Sequence, residues 1–412
     1  MKQVIIVGGG FAGLRAAKTL GSRAGVEVTL VDRRNHHVFQ PLLYQVAMAQ
    51  LSPADIAVPL RAVVSRHANV RVYQGGVDVI SPAARRVRTS FGELAYDYLL
   101  LAPGATHSYF GHDEWEPFAP GLKTLEHARE IRRRVLDAYE AAERSRDAVE
   151  QRRLLSFVIV GGGPTGVELA GAIAEMGRFT LAKDFRNIHT ELTRVTLVEA
   201  GPHLLPALPS DLSEYSERAL KGLGVQVLTG TAVTRVTAEG AELGGRRIDA
   251  ATVLWAAGVA ASPLGRQLGA ETDRQGRVRV ERDLSVPGRH EVFVAGDLAE
   301  FVLEGGKTLP GIAAVAHQQG LHAARMILAD LAGRPRWSFH YVDRGQMATI
   351  GHNKAVAEIG RLHVCGRPAW YLWVFVHIYF LVDFRNRMVV MMQWAWTYLT
   401  NRRGARLIMD NL

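Results

Sequence analysis

A Gly-x-Gly-x-x-Gly pattern occurs twice in this chain, each copy directly after a short apolar run. Val4-Ile5-Ile6-Val7 leads into Gly8, Gly10 and Gly13, and Phe157-Val158-Ile159-Val160 leads into Gly161, Gly163 and Gly166. The pattern dictates local structure. A buried parallel strand ends, the first glycine allows a tight turn, the second lets the backbone approach a pyrophosphate, and the third lets the next helix pack close to the strand. That helix presents unpaired N–H groups and its positive dipole end to the phosphates. Each copy also has an acid at the end of a second apolar run. Val28-Thr29-Leu30-Val31 ends at Asp32, 19 residues beyond Gly13, and Val195-Thr196-Leu197-Val198 ends at Glu199, 33 residues beyond Gly166. The second spacing exceeds the usual ~20, and the polar stretch from Lys183 to Thr193 reads as the insertion responsible. Ordinary strand–turn–helix glycines would give fragments of this pattern, not strand, glycines, helix and acid in order twice. The expected fold is therefore α/β with two Rossmann-like dinucleotide-binding domains. Two bound dinucleotides imply that one passes electrons to the other.

Composition narrows the partners. A chain of 412 residues can hold two or three domains with full cores. Its net charge of +9, from 49 basic and 40 acidic residues, favours anionic partners such as phosphate cofactors or acidic lipid. The basic residues are scattered rather than in one run, which argues against nucleic acid. Cys365 is the only cysteine, so one chain can build no disulfide, zinc cluster or iron–sulfur site. The histidines are scattered too, and no metal is expected. A strand beginning at Gln3 leaves no room for a targeting peptide, so a cytosolic protein is expected.

The expected domains are 1–118 with 266–336, then 119–265, then a C-terminal region 337–412. The segment Leu125 to Arg152, dense in Glu, Arg and Ala at helical spacing, reads as one helix with a solvated charged face. Tyr98 to Leu101 leads to Ala102-Pro103-Gly104, and Val253-Leu254-Trp255 leads to Ala256-Ala257-Gly258, a second connector of the same kind. Val292-Phe293-Val294-Ala295-Gly296-Asp297 then returns the chain to the first domain.

Paired dinucleotide motifs, two such connectors and a late Ala-Gly-Asp resemble the two-dinucleotide-binding-domain flavoproteins. Within them the chain is most similar to type II NADH dehydrogenase, a single-subunit NADH:quinone oxidoreductase. The likeness rests on Phe39-Gln40-Pro41-Leu42-Leu43-Tyr44-Gln45-Val46-Ala47, on Val160 to Gly171, on Pro310 to Ala313 with Gln318-Gln319-Gly320, and on Gly345 to Gly351. Disulfide reductases of the superfamily need a cysteine pair soon after the first acid. The region from Arg33 to Ala57 has none, so electrons must leave directly to a diffusing acceptor.

The resemblance implies FAD at the first motif, on Gly8, Gly10, Phe11, Ala12, Gly13, Asp32, Arg33 and Gly104, with Asp297 on the flavin side. It implies NADH at the second, on Gly161, Gly163, Pro164, Thr165, Gly166, Glu199 and Gly258. Asp32 and Glu199 would each accept a ribose hydroxyl. The charge of Glu199, followed by Ala200-Gly201-Pro202 with no cation, would repel the 2′-phosphate of NADPH. Three residues are the catalytic candidates. Glu168 is expected in the first turn of the second-motif helix, where it would either complement the helix dipole or relay protons to the acceptor. Gln318 matches the family's quinone-site glutamine, the alternative being a helix-surface amide. His317 stands where an apolar residue is usual and would either donate protons or point away. Ala314 also departs from some members, which have glutamine.

Four of the seven tryptophans (Trp370, Trp373, Trp394, Trp396) fall in the last 43 residues. The runs Ala369–Val382, broken by His377, and Met388–Leu399 are both too short to span a bilayer, which takes ~20 residues. Gln393, Thr397 and Thr400 form a narrow polar stripe on the second run. From Arg361 onward there are seven Arg and two Asp. An amphipathic helical segment lying on an anionic membrane fits, as does a homodimer contact through the first run. Asp383 is unusual where the family has a small residue.

These readings converge on a non-proton-pumping enzyme that moves hydride from NADH to FAD and two electrons to a quinone. It would sit peripherally, as a homodimer, on the cytoplasmic face of the cell membrane, held by lipid contacts of its C-terminal helices. The competing readings are a soluble NADH-dependent reductase of a small electron carrier and a low-turnover NADH-binding signalling protein.

Overall fold

The computed structural model describes residues 1–400 and 404–408. Arg402, Arg403 and Asp410, part of the basic tail, lie outside them. The chain forms two compact units. One comprises Met1–Val38, Ala57–His107 and Val259–Asp343, and the other Phe39–Ile56, Ser108–Gly258 and Arg344–Leu412. Both are built from a parallel sheet plus antiparallel meanders.

In the first unit a six-stranded sheet runs in the order Ser285–Val286, Arg289–Val294, Tyr98–Leu101, Lys2–Val7, Val26–Asp32 and Val70–Gln74. All neighbours are parallel except the first pair, a hairpin. Val4 pairs with Val28 on one side and Tyr98 on the other. Such a central strand is apolar on both faces, which is why Val4–Val7 is buried throughout. The long helix Ala313–Leu331 packs against the first-motif helix Phe11–Leu20. Gly320 makes the approach possible, since a Cβ there would stand 2.1 Å from the carbonyl oxygen of Ala12. Ala16, Ala17, Ala323 and Ala324, all fully buried, keep both helix faces thin. Arg336 ties the rim together by donating to Asp283, Asp330 and the carbonyl of His290.

In the second unit the parallel sheet has four strands in the order Val225–Leu228, Arg194–Val198, Ser156–Val160 and Thr252–Trp255. The segment read as one helix is two, Leu125–Arg144 and Ala148–Leu154. Ser145 turns extended, and Asp147 caps the second helix by accepting the N–H of Val149 at 2.8 Å. The charged face holds as expected, with Glu130 bridging Arg133 and Arg134. Arg132 is the exception: it is buried and donates to the carbonyl of Ala405. Lys183–Thr193 is a looped stretch with one short 3-10 turn that precedes the strand ending near Glu199 and lengthens the spacing to it.

A three-stranded meander, Gln346–Thr349, Ala355–Ile359 and Leu362–Gly366, leads into the C-terminal helices Arg367–Phe380 and Phe384–Thr400. The structure accounts for Asp383. Its carboxylate accepts the N–H of Arg385 at 3.3 Å and its carbonyl that of Arg387 at 3.0 Å, so it caps the last helix.

Candidate functional site

The two glycine motifs have matching geometry, residue for residue. Gly8 and Gly161 have φ of +103° and +108°, a turn closed to L side chains. A Cβ on Gly13 or Gly166 would lie 1.8 Å from the carbonyl oxygen of Gly8 or Gly161, so helix and turn touch through backbone. Around the Cβ position of Gly10 and of Gly163 no atom lies within 4 Å. Neither helix start has a side-chain cap. An open backbone surface at an uncapped helix N-terminus fits a pyrophosphate in both places. Pro164, at the first position of its helix, gives up an N–H that would be orphaned in any case. Thr165 follows it.

The two acids grip their loops alike. Asp32 accepts the N–H groups of Gly9 (2.5 Å) and Arg34 (2.7 Å), and Glu199 accepts those of Gly162 and Gly201, both at 2.6 Å. Each carboxylate therefore shapes its loop first, with lone pairs to spare for a ribose hydroxyl. Among the described residues no ion pair forms on Glu199. Phe11 packs edge-on to His37 at 4.9 Å, Ala12 is buried under the Ala313–Leu331 helix, and Arg33 is exposed. Asp297 lies in the turn Gly296–Leu298, and a Cβ on Gly311 would stand 3.2 Å from its Oδ1. The Gly296 N–H is held by buried Gln319 at 2.7 Å. Gly104 and Gly258 flank the antiparallel pairing of Ala105–His107 with Val259–Ala261.

The catalytic candidates divide between the units. His317 and Gln318 lie half-buried on the long helix of the first. Gln318 donates to the carbonyl of Val342 at 2.9 Å and accepts its N–H at 3.0 Å, so only its second N–H is uncommitted by these bonds. Glu168 lies in the second unit, on the helix Pro164–Glu175, in its second turn rather than its first. The dipole explanation loses force there, because that interaction fades beyond the first turn.

Glu168 instead lines a cavity of about 570 Å³, counting its open mouth. Ala172 and Glu175 from the same helix, Tyr44 and Gln45 from the short helix Leu43–Ala47, the turn Thr349–His352, and Trp370, Trp373, Trp394 and Thr397 from the C-terminal helices line it with Glu168. Burial pushes the Glu168 carboxyl up to about 8, partly offset by the N–H of Thr349, so at neutral pH it carries a proton. Glu175 accepts the N–H of His352 and fixes the turn, in which Gly351 has φ of +63°, as does Asn353 just after it. His377, which interrupts the first apolar run, turns inward. It stacks on Trp373 at 4.1 Å and is driven down to about 4 by burial, hence neutral. Sequence reasoning assigned no role to Tyr44, Gln45 or Thr349, and counted Trp394 only with the membrane-lying segment. The available signal was polar side chains inside otherwise apolar motif segments.

The C-terminal helices expose much of their apolar surface and cover several polar side chains. Asn386 is buried, and Gln393 and Thr397 are partly covered, whereas Tyr371, Phe375, Tyr379, Phe384, Met392, Trp396 and Leu399 are exposed. The polar stripe on the last helix thus faces the protein and its cavity, and the apolar surface faces out. No helix among the described residues is long and apolar enough to cross a membrane.

Comparison with known proteins agrees with this arrangement. Residues 2–320 match the pyridine nucleotide-disulphide oxidoreductase family, and residues 344–403 match the NDH2 C-terminal domain. The chain is 43% identical to the type II NADH:quinone oxidoreductase NdhA of Mycobacterium tuberculosis, covering 100% of this chain and 90% of that one. The chain belongs to the type II NADH:quinone oxidoreductases. It is 28% identical to the Staphylococcus haemolyticus enzyme of that name, over 90% of this chain and 93% of that one. Among solved structures, NDH2 of Plasmodium falciparum in complex with NADH superposes with a TM-score of 0.90 at 18% identity, covering 99% of this chain and 100% of that one. The fold is therefore that of NDH2 at a sequence distance where identity alone says little. As a family member this chain lacks the disulfide of the broader family's name: Cys365 is its only cysteine and is exposed.

Proposed function

We propose that this protein oxidises NADH and reduces a quinone, with FAD between them. The observation that carries the reading is the doubled motif with matching geometry, joined in one chain to a cavity lined by a protonated acid. FAD and NADH, when bound, supply hydride transfer and two-electron delivery. The chain's own residues bind, orient and protonate. Gly8, Gly10, Gly13 and Asp32 would hold FAD at the first loop, with Asp297 on the flavin side. Gly161, Gly163, Gly166 and Glu199 would hold NADH at the second, and the Glu199 carboxylate would repel a 2′-phosphate. Glu168 holds a proton beside the cavity and is suited to give it to a reduced acceptor. Gln318 would offer its second N–H to a quinone carbonyl.

The exposed apolar surface of the C-terminal helices supports a protein lying on a membrane. We assign the exposed residues Met392, Trp396 and Leu399 to lipid and the row Tyr371, Phe375 and Tyr379 to a second copy of the chain. The basic tail supports the cytoplasmic face, where anionic lipid attracts Lys and Arg. We propose the domain boundaries read from sequence as a functional division; the compact units cut the chain differently, at 38, 56, 107, 258 and 343. Residues 39–56, carried there with the FAD domain, count here with the second unit, where Tyr44 bonds Thr349 and Gln45 bonds Trp394.

Stopped-flow absorbance at the flavin band tests the reading. Mixing with NADH should bleach the flavin and a short-chain quinone should restore it. Bleaching that quinone does not reverse would sink the assignment.

A further inference from the structure

Four side chains in the second unit form one line of hydrogen bonds. The Trp394 indole N–H donates to Gln45 Oε1 at 2.7 Å, Gln45 Nε2 donates to the Tyr44 hydroxyl oxygen at 3.0 Å, and that hydroxyl lies 2.9 Å from Thr349 Oγ1. The direction of the whole line follows from its first member. Indole is a donor only, so it fixes which end of the Gln45 amide faces it. The amide nitrogen then faces Tyr44 and gives it a proton to accept. Tyr44 has a single proton of its own, and the one remaining acceptor is Thr349. Thr349, having accepted, keeps a hydroxyl proton directed away from Tyr44. Thr349 is 2% exposed and lines the cavity. Its backbone N–H meanwhile holds the Glu168 carboxyl, so hydroxyl and acid share one wall.

We propose that the Thr349 hydroxyl, polarised by the Trp394–Gln45–Tyr44 line, is the hydrogen-bond donor that fixes a carbonyl oxygen of the quinone in this cavity. The proposal rests on the reading that the electron acceptor enters there. The chemistry favours a carbonyl: the site offers an oriented O–H with a neutral acid beside it, which suits an acceptor oxygen that gains negative charge and then a proton. Burial keeps the Tyr44 phenol protonated, so it cannot reverse the line by ionising. Trp394 and Gln45 act as positioning residues. The apolar surface of the Trp394 helix and the donor in the cavity are thus linked through side chains of known polarity.

The test uses full-length, flavin-loaded protein in detergent, so that membrane attachment does not enter, with a short-chain ubiquinone analogue as acceptor. Thr349→Val keeps the shape and removes the hydroxyl, and Thr349→Ser restores it. Trp394→Phe releases Gln45 to flip, which lets Tyr44 donate back to the amide and Thr349 donate back to Tyr44, away from the cavity. Val374→Trp narrows the same cavity and reports whether the acceptor uses it. The expected result is a quinone KM raised roughly tenfold in T349V and W394F, the scale of one lost hydrogen bond, with T349S within about twofold of wild type. Should T349V fail to fold, W394F carries the same expectation. A raised KM in V374W with wild-type values in T349V and W394F overturns the hydroxyl's role and leaves the cavity reading standing. Wild-type KM in all variants overturns both. Equal losses in T349V and T349S would assign the effect to shape and also overturn the proposal.

Discussion

Replacing Glu168 with Gln should stabilise the protein while impairing it. Burial raises the folded-state carboxyl from 4.5 to about 8. An acid raised on folding binds its proton more tightly in the folded chain, so its contribution is intact below the unfolded value and is lost as pH climbs through the folded one. The window therefore runs from 4.5 to about 8. At ~1.4 kcal/mol per pH unit, the loss reaches about 3 kcal/mol by pH 7 and about 5 above pH 8. Access of the side chain to cavity water screens the charge, which brings the pH 7 figure nearer ~2 kcal/mol. Gln has the same outline, still accepts the Thr349 N–H and never ionises. E168Q should then melt several degrees above wild type at pH 8 and together with it near pH 4.5. Flavin fluorescence during thermal melts of the loaded protein, at three pH values, reads this directly. Quinone turnover should move the other way, falling roughly a hundredfold with the loss of the proton donor and losing the wild-type decline above pH 8. A variant no more stable than wild type at pH 8 would refute the burial argument. One that kept the wild-type pH profile of turnover would refute the proton role.

Glu199→Gln should narrow the preference for NADH over NADPH by about tenfold, measured as the ratio of kcat/KM values; an unchanged ratio would remove the residue from nucleotide selection. Exposed Met392 and Leu399, changed together to Glu, should release the protein from anionic vesicles in a sedimentation assay. This pair is a cleaner test than deleting the tail, which would also remove Trp394 from the cavity; continued co-sedimentation would place the anchor elsewhere. Gly320→Ala drives a methyl toward the Ala12 carbonyl and should cost ~1–3 kcal/mol, with early loss of flavin on heating. Melting and flavin retention equal to wild type would show that the helices part without strain.

Much of this was legible from local sequence. Strands, glycines, helix starts and acids obey short-range rules, and even the distinct duties of the three glycines in each motif could be assigned before any coordinate. The failures were also local in origin. Helical composition runs on through Ser145, where only the extended backbone and the Asp147 cap show the break. Glu168 was placed one turn too early, which lent the dipole explanation more weight than the structure gives it. Asp383, unexplained as a letter, is a helix cap in three dimensions.

What the sequence determined by itself is the repeated dinucleotide-binding plan, because periodicity and turn chemistry act over a few residues at a time. What only the tertiary structure decided is the cavity beside Glu168. Tyr44, Glu168, Thr349 and Trp394 are spread over 351 positions, and no local rule links them. Folding also decided which way the C-terminal helices face. The stripe of Gln393 and Thr397 would suit water as well as a cavity wall; it lies partly covered because its neighbour Trp394 is bonded inward to Gln45 and Thr397 joins the cavity wall, leaving the aromatic and methionine side chains outermost.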